Sequence, residues 1–199
     1  MVKRPAKSIL PLILAAAVIG ALLLWLKVPQ TAPIQVVTEP SPVPSLVQTA
    51  QAADGKISLE LNQKQGAETT TWSLTAAQPG AAAKRIWSEA LPHDTTVSIP
   101  FNAVSPDNKF LFLKQAGPDK NRYLALTTSG EPLSQDSPTI EFSGLFESKF
   151  PDYKITAVTG WGGINLIVFN TDKIDGGTGP SFWFDLSGRS FIRLSNRFD

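Results

Sequence analysis

The chain has 199 residues, 42% of them hydrophobic and 18% charged, with a formal net charge of +1. That length holds one or two domains. The absence of cysteine excludes disulfide frameworks, thiolate metal centres and Cys nucleophiles, and the single histidine, His93, excludes a two-His metal site within one chain.

The charge is unevenly placed. Residues 1–27 carry Lys3, Arg4, Lys7 and Lys27 and no acid, a net of +4; the other 14 basic and 17 acidic residues give −3. Residues 9–26 read ILPLILAAAVIGALLLWL, without a charge. As a helix this run would extend about 27 Å, close to the ~30 Å hydrocarbon core of a bilayer. Ile9, Leu14 and Leu22 are then membrane-anchor residues, Trp25 lies at headgroup depth, and Lys27 reaches the phosphates. A cleaved signal peptide is the competing reading. Its apolar region would be shorter, and Lys27-Val28-Pro29 is a poor cleavage context. The sequence therefore predicts a cytoplasmic segment over 1–7 and a single-pass signal-anchor helix over 8–27. Lys3, Arg4 and Lys7 ahead of the span put the N-terminus in the cytoplasm and the rest of the chain outside it, extracellular or periplasmic.

Residues 28–45 hold five prolines and one charge, Glu39. Such a stretch favours extended polyproline geometry, about 3.1 Å per residue. It reads as a linker that could hold a domain up to roughly 50 Å from the bilayer.

From about residue 46 to 199 the chain becomes short β-like runs broken by Gly, Pro, Asn and Asp, and one pattern occurs three times. A turn at Asp54-Gly55, Asp107-Asn108 or Gly162-Gly163 precedes an alternating run: Ile57/Leu59/Leu61, Phe110/Phe112, Ile164/Leu166/Val168. A second turn (Gly66, Gly117, Gly176-Gly177) leads to a strand around Trp72, Tyr123 or Trp183. A third turn (Gly80, Gly130, Gly188) leads to a last run at 85–87, 139–142 or 191–194. Gly and Asn accept the positive φ that tight hairpins need, and alternating or aromatic residues suit a half-buried pleated surface. Residues 143–150 read as one short turn of helix. Four consecutive antiparallel strands, repeated, is the pattern of a propeller blade. The units fall at about 46–92, 93–143 and 151–199, with the excess length expected in loops at 115–121 and 170–180.

The run 104–113, Val-Ser-Pro-Asp-Asn-Lys-Phe-Leu-Phe-Leu, resembles the Ser-Pro-Asp-Gly-Lys-hydrophobic signature of β-propeller repeats of the TolB-like and WD type. Asn108 stands where that signature has Gly. Asp54-Gly55-Lys56 keeps its end, and the third unit has Gly160-Trp161-Gly162-Gly163 instead. The resemblance implies blade-like sheets, with the motif shaping a turn rather than doing chemistry. Three blades do not close a ring of the usual four to eight. The fold class expected is therefore all-β: a partial propeller or a compact three-sheet β domain. The alternative is a homodimer that pools six units.

No constellation points to a cofactor. His93 reads as a surface-loop residue. Residues 170–177 resemble a calcium loop superficially, but Ile174 stands where a ligand belongs and no Glu follows at the right distance. The glycines at 176–179 precede a strand, not the helix a phosphate cradle needs. A net of −3 over residues 28–199, with no basic stripe, speaks against nucleic acid. Trp161, Trp183 and Tyr123 are the candidate binding surface, since aromatics stack on sugars and anchor protein partners. The function expected is a membrane-anchored, non-catalytic interaction or scaffolding module whose partner is an envelope protein. Binding of envelope polysaccharide is the alternative, and a carboxylate-pair glycoside hydrolase is the third reading.

Overall fold

A computed structural model describes residues 45–134, 137–195 and 197. Among them no helix is long and apolar enough to cross a membrane. The expected anchor (Ile9, Leu14, Leu22, Trp25), its orienting cations (Lys3, Arg4, Lys7) and residues 28–44 of the expected 28–45 linker lie outside the described residues, while Ser45 already belongs to a strand.

The described chain forms three four-stranded antiparallel sheets, each built from consecutive strands in sequence order. Sheet A comprises β1 (Ser45–Gln51), β2 (Ser58–Gln65), β3 (Thr69–Ala77) and β4 (Lys84–Pro92). Sheet B comprises β5 (Thr96–Ser98), β6 (Phe110–Ala116), β7 (Asn121–Thr127) and β8 (Thr139–Glu141). Sheet C comprises β9 (Tyr153–Trp161), β10 (Leu166–Lys173), β11 (Thr178–Asp185) and β12 (Ser190–Arg193). One helix, α1 (Phe142–Lys149), joins B to C. The threefold four-strand pattern is therefore present.

Strand chemistry decides which faces are covered. In sheet A the period-two alternation puts Leu59, Leu61, Trp72, Leu74 and Trp87 on one buried face. The opposite face is mainly polar: Glu60, Asn62 and Lys64 stand beside Thr75, Ser73 and Thr71, with Leu46 at its β1 edge. Sheet B does not alternate. Leu111, Phe112 and Leu113 are all buried, as are Tyr123 to Leu126, so both of its faces are covered. Sheet C directs Ile167, Phe169, Phe182 and Phe184 inward.

Helix α1 supplies the filling between B and C. Phe142 and Phe146, one turn apart, and Phe150 just beyond the helix share one face. Phe146 meets Phe169, Phe182 and Phe191 edge-on at 5.0, 4.9 and 5.4 Å, and Phe142 stacks on Phe184 at 5.3 Å. Burying each ring contributes roughly 1.5–3 kcal/mol. Strand β8 is only three residues long, and the helix completes what it leaves unpaired: the Tyr123 amide donates to Ser143 Oγ at 2.9 Å.

Three local expectations change. Ile164 belongs to the β9–β10 hairpin and is 56% exposed, because strand β10 starts only at Leu166. The expected loops shorten to four-residue turns, 117–120 and 174–177; the long connections in sheet B are instead residues 99–109, between β5 and β6, and 128–138, between β7 and β8. Among the expected turns, Gly55 and Asn108 have φ of 71° and 62°, whereas neither Gly162 nor Gly163 has positive φ. Gly162 is required for space: a Cβ there would lie 3.0 Å from Trp183 Nε1 and 3.1 Å from Val168 Cγ2.

Candidate functional site

The segment 99–104, Ile-Pro-Phe-Asn-Ala-Val, lies where the three sheets meet. Ile99 and Ala103 are buried and pin both ends. On the sheet A side, the Gln48 side chain grips the main chain of Ile99. Gln48 Nε2 donates to Ile99 O at 2.7 Å, and Ile99 N donates to Gln48 Oε1 at 2.8 Å. On the sheet C side, Trp161 Nε1 donates to Ala103 O at 3.0 Å, an oxygen that also accepts from Phe112 N at 3.1 Å. Asn102 takes φ of 54°, and its Cβ crowds Gly160 so closely that a Cβ on Gly160 would sit 3.2 Å away. Asn tolerates this left-handed conformation better than most residues.

Between these clamps Phe101 projects into solvent, 86% exposed. Among the described residues it is the most exposed large apolar side chain, and it stands on a main chain held from both sides. Beside it runs a groove of about 520 Å³, lined by residues 48–51, Ala53 and residues 99–104. No lining residue is charged. Gln48 to Gln51 belong to β1, the terminal strand of sheet A, which among the described residues pairs only with β2.

A second cleft, of about 600 Å³, separates β4 from β7 and β8. Arg122 is its centre. The guanidinium lies 2.7 Å from Glu141 and 4.0 Å from Glu89, and also donates to Gln115 Oε1 at 3.1 Å. Gln115 in turn donates to Glu89 at 2.9 Å. The hydrogen bond from Arg122 holds the Glu141 carboxyl below its ordinary range, against the opposing effect of burial. A glycosidase proton donor needs the reverse, a carboxyl held protonated. This carboxylate pair is arranged as an ion-pair network around an arginine.

The aromatic residues singled out from the sequence do not converge. Trp161 and Trp183 lie opposite Ile167 and Val168, adjacent residues of β10, and so occupy opposite faces of sheet C. Trp161 is half-buried, with its ring 5.9 Å from Phe112 and its indole N–H spent on Ala103. Trp183 lies half-buried on the outer face between Val168 and Ile192. Tyr123 is 3% exposed and packs against Phe142; as a core side chain it presents nothing to a ligand, a correction that follows from sheet B being covered on both faces. Trp72 and Trp87 are core residues too.

The turn residues form a structural link instead. Asn108 Nδ2 donates to Asp54 Oδ2 at 2.8 Å, tying the first hairpin of sheet A to that of sheet B. Asp54 also accepts from the Lys56 amide at 3.0 Å, and these bonds lower its pKa to about 2. The asparagine that departs from the TolB-like signature thus meets the positive φ and adds a bond that glycine lacks.

His93 meets Thr70 Oγ1 at 3.0 Å and Ala67 O at 3.4 Å on the surface. Residues 174–177 form the β10–β11 hairpin, and among the described residues no group of three or more His, Asp or Glu side chains gathers as a metal site would. Phe101 and the 99–104 segment were missed in the sequence because the repeat pattern assigns them to a connection. The available signal was a lone Phe followed by Asn between buried aliphatic positions. A scan of the chain against protein-family models matches none of them, and no curated protein matches it in sequence.

Proposed function

We propose that this chain is a non-catalytic protein-binding module, a three-blade partial propeller carried outside the cytoplasm on a single membrane span and a proline-rich spacer. The observation that carries this reading is Phe101: an exposed aromatic, fixed from both sides, beside an uncharged groove. Cores of protein interfaces are enriched in aromatic residues and depleted in charge. The polysaccharide alternative loses support because Trp161 and Trp183 do not form a common platform. Closure of six blades by a second copy would have to bury the face of sheet A that carries Glu60, Asn62 and Lys64, and taking those polar groups out of water is unfavourable.

A photo-crosslinking residue placed at position 101 tests the reading in intact membranes. A discrete protein adduct is expected from position 101 and none from position 73, on the polar face of sheet A. An adduct of glycan alone at position 101, or equal protein labelling at both positions, overturns it.

A further inference from the structure

The hydrogen-bond phase of β1 narrows the kind of partner. Ala52 N donates to Ile57 O at 2.9 Å, which makes Ala52 and Ile57 a directly bonded pair. In an antiparallel ladder, bonded and non-bonded pairs alternate. Carried along the register, Ala50↔Leu59 and Gln48↔Leu61 are bonded pairs, while Gln51↔Ser58 and Thr49↔Glu60 are not. The amides and carbonyls of Thr49 and Gln51 therefore point away from β2, along the outer edge of sheet A. Both residues line the groove that contains Phe101.

We propose that the groove takes an extended, uncharged peptide segment of another protein, which adds as a fifth strand to β1 at Thr49 and Gln51 and packs alternate apolar side chains against Phe101. This rests on the protein-binding reading above and specifies its mode. The outward main-chain groups at Thr49 and Gln51, which meet no strand among the described residues, recur every second residue, about 6.8 Å apart, the repeat of a polypeptide strand. A lipid surface or a glycan offers no such ladder. The lining has no cation to attract anionic headgroups and no acid to attract a basic segment. Because Gln48 and Trp161 already fix the 99–104 segment, ordering that loop costs little on binding.

The test uses the full chain and a phage-displayed library of random twelve-residue peptides, from which the tightest binder is synthesised. Three results are expected. Phe101→Ala weakens binding at least tenfold. Thr49→Pro, which removes an outward amide while leaving the bonded pairs to β2 intact, weakens it to a similar degree. A scan of single N-methyl groups along the peptide gives losses with a period of two residues. The N-methyl scan needs no change in the protein, so it decides the matter even if Thr49→Pro perturbs folding. Binding that depends on Phe101 but shows no periodicity in the scan overturns strand addition and leaves the protein-binding reading standing. If no selected peptide depends on Phe101, or if phosphatidylcholine vesicles or arrayed glycans are retained through Phe101 in its place, both are overturned.

Discussion

Replacing Gln48 with alanine removes both hydrogen bonds that fix Ile99, and its effect can be worked through. Each neutral hydrogen bond contributes about 1 kcal/mol net, and a buried main-chain group left unpaired costs about 1–3 kcal/mol. Ile99 is buried, but Gln48 itself is only half-buried, so water reaches part of the vacated space. A loss of about 2 kcal/mol is the expected total. For a domain of this size each kcal/mol lowers the melting temperature by about 2–4 °C, so Gln48→Ala should melt about 4–8 °C lower. Tryptophan fluorescence during thermal unfolding measures this, and amide hydrogen exchange at Ile99 should accelerate with it. Gln48→Glu gives a sharper version. Its carboxylate still accepts from Ile99 N but faces the Ile99 carbonyl without a proton to donate. It should be at least as damaging as alanine at pH 7, and should recover below about pH 4, where a protonated carboxyl donates. A melting temperature for Gln48→Ala within 2 °C of the unaltered chain, together with slow exchange at Ile99, would refute the idea that this side chain fixes the segment carrying Phe101.

Further tests address the other joints. By NMR titration the Asp54 carboxyl should ionise near pH 2. Asn108→Gly should raise that value without restoring the ordinary one, because the Lys56 amide makes the larger contribution. Glu141 has its pKa lowered by Arg122, so its stabilisation is present above the unfolded value near 4.3 and fades as pH falls through the lower folded value. Arg122→Gln should therefore melt about 2–4 °C lower at pH 7, and the gap should narrow below pH 4; a gap that widens in acid contradicts the assignment. Trp161→Phe loses the bond to Ala103 together with part of the ring packed on Phe112 and should cost about 1–3 kcal/mol, read from thermal melting; a neutral result would mean that sheet C does not brace that loop. Gly179→Ala would place a Cβ 2.9 Å from Thr171 O and 2.5 Å from its Oγ1. A loss of at least about 2 kcal/mol is expected from forcing β10 and β11 apart, and unchanged melting would show that the hairpin yields freely.

The strands were legible because their signals are local. Hairpin turns at Gly55, Asn108 and Gly188 and the alternation Thr70-Trp72-Leu74-Ala76 act over a few residues. The position of sheet B was also written in the chain, since Phe110-Leu111-Phe112-Leu113 and Tyr123-Leu124-Ala125-Leu126 are continuous apolar runs, the mark of strands covered on both sides. That same signal would have removed Tyr123 from the candidate surface. The groove was not legible, because it is made by contacts far apart in sequence. Gln48 and Ile99 are 51 residues apart, and Trp161 and Ala103 are 58 apart. Polar side chains that bond to a distant main chain leave no periodic trace. Exposure of Phe101 likewise depends on which sheet stands beside it.

The unlike faces of sheet A bear on how the chain folds as it is made. Each sheet pairs only consecutive strands, so sheet A can assemble before residue 96 has been added, and its local hairpins form quickly. Its polar face is then already in its final, hydrated state. Only the Leu59–Leu61–Leu74 face awaits cover, and the very next sheet provides it. The order of synthesis therefore keeps exposed apolar surface to one face at a time, until α1 brings its phenylalanines to the last sheet. A chain truncated after residue 141 would lack that step and keep the far side of sheet B bare, making it the aggregation-prone intermediate of this fold.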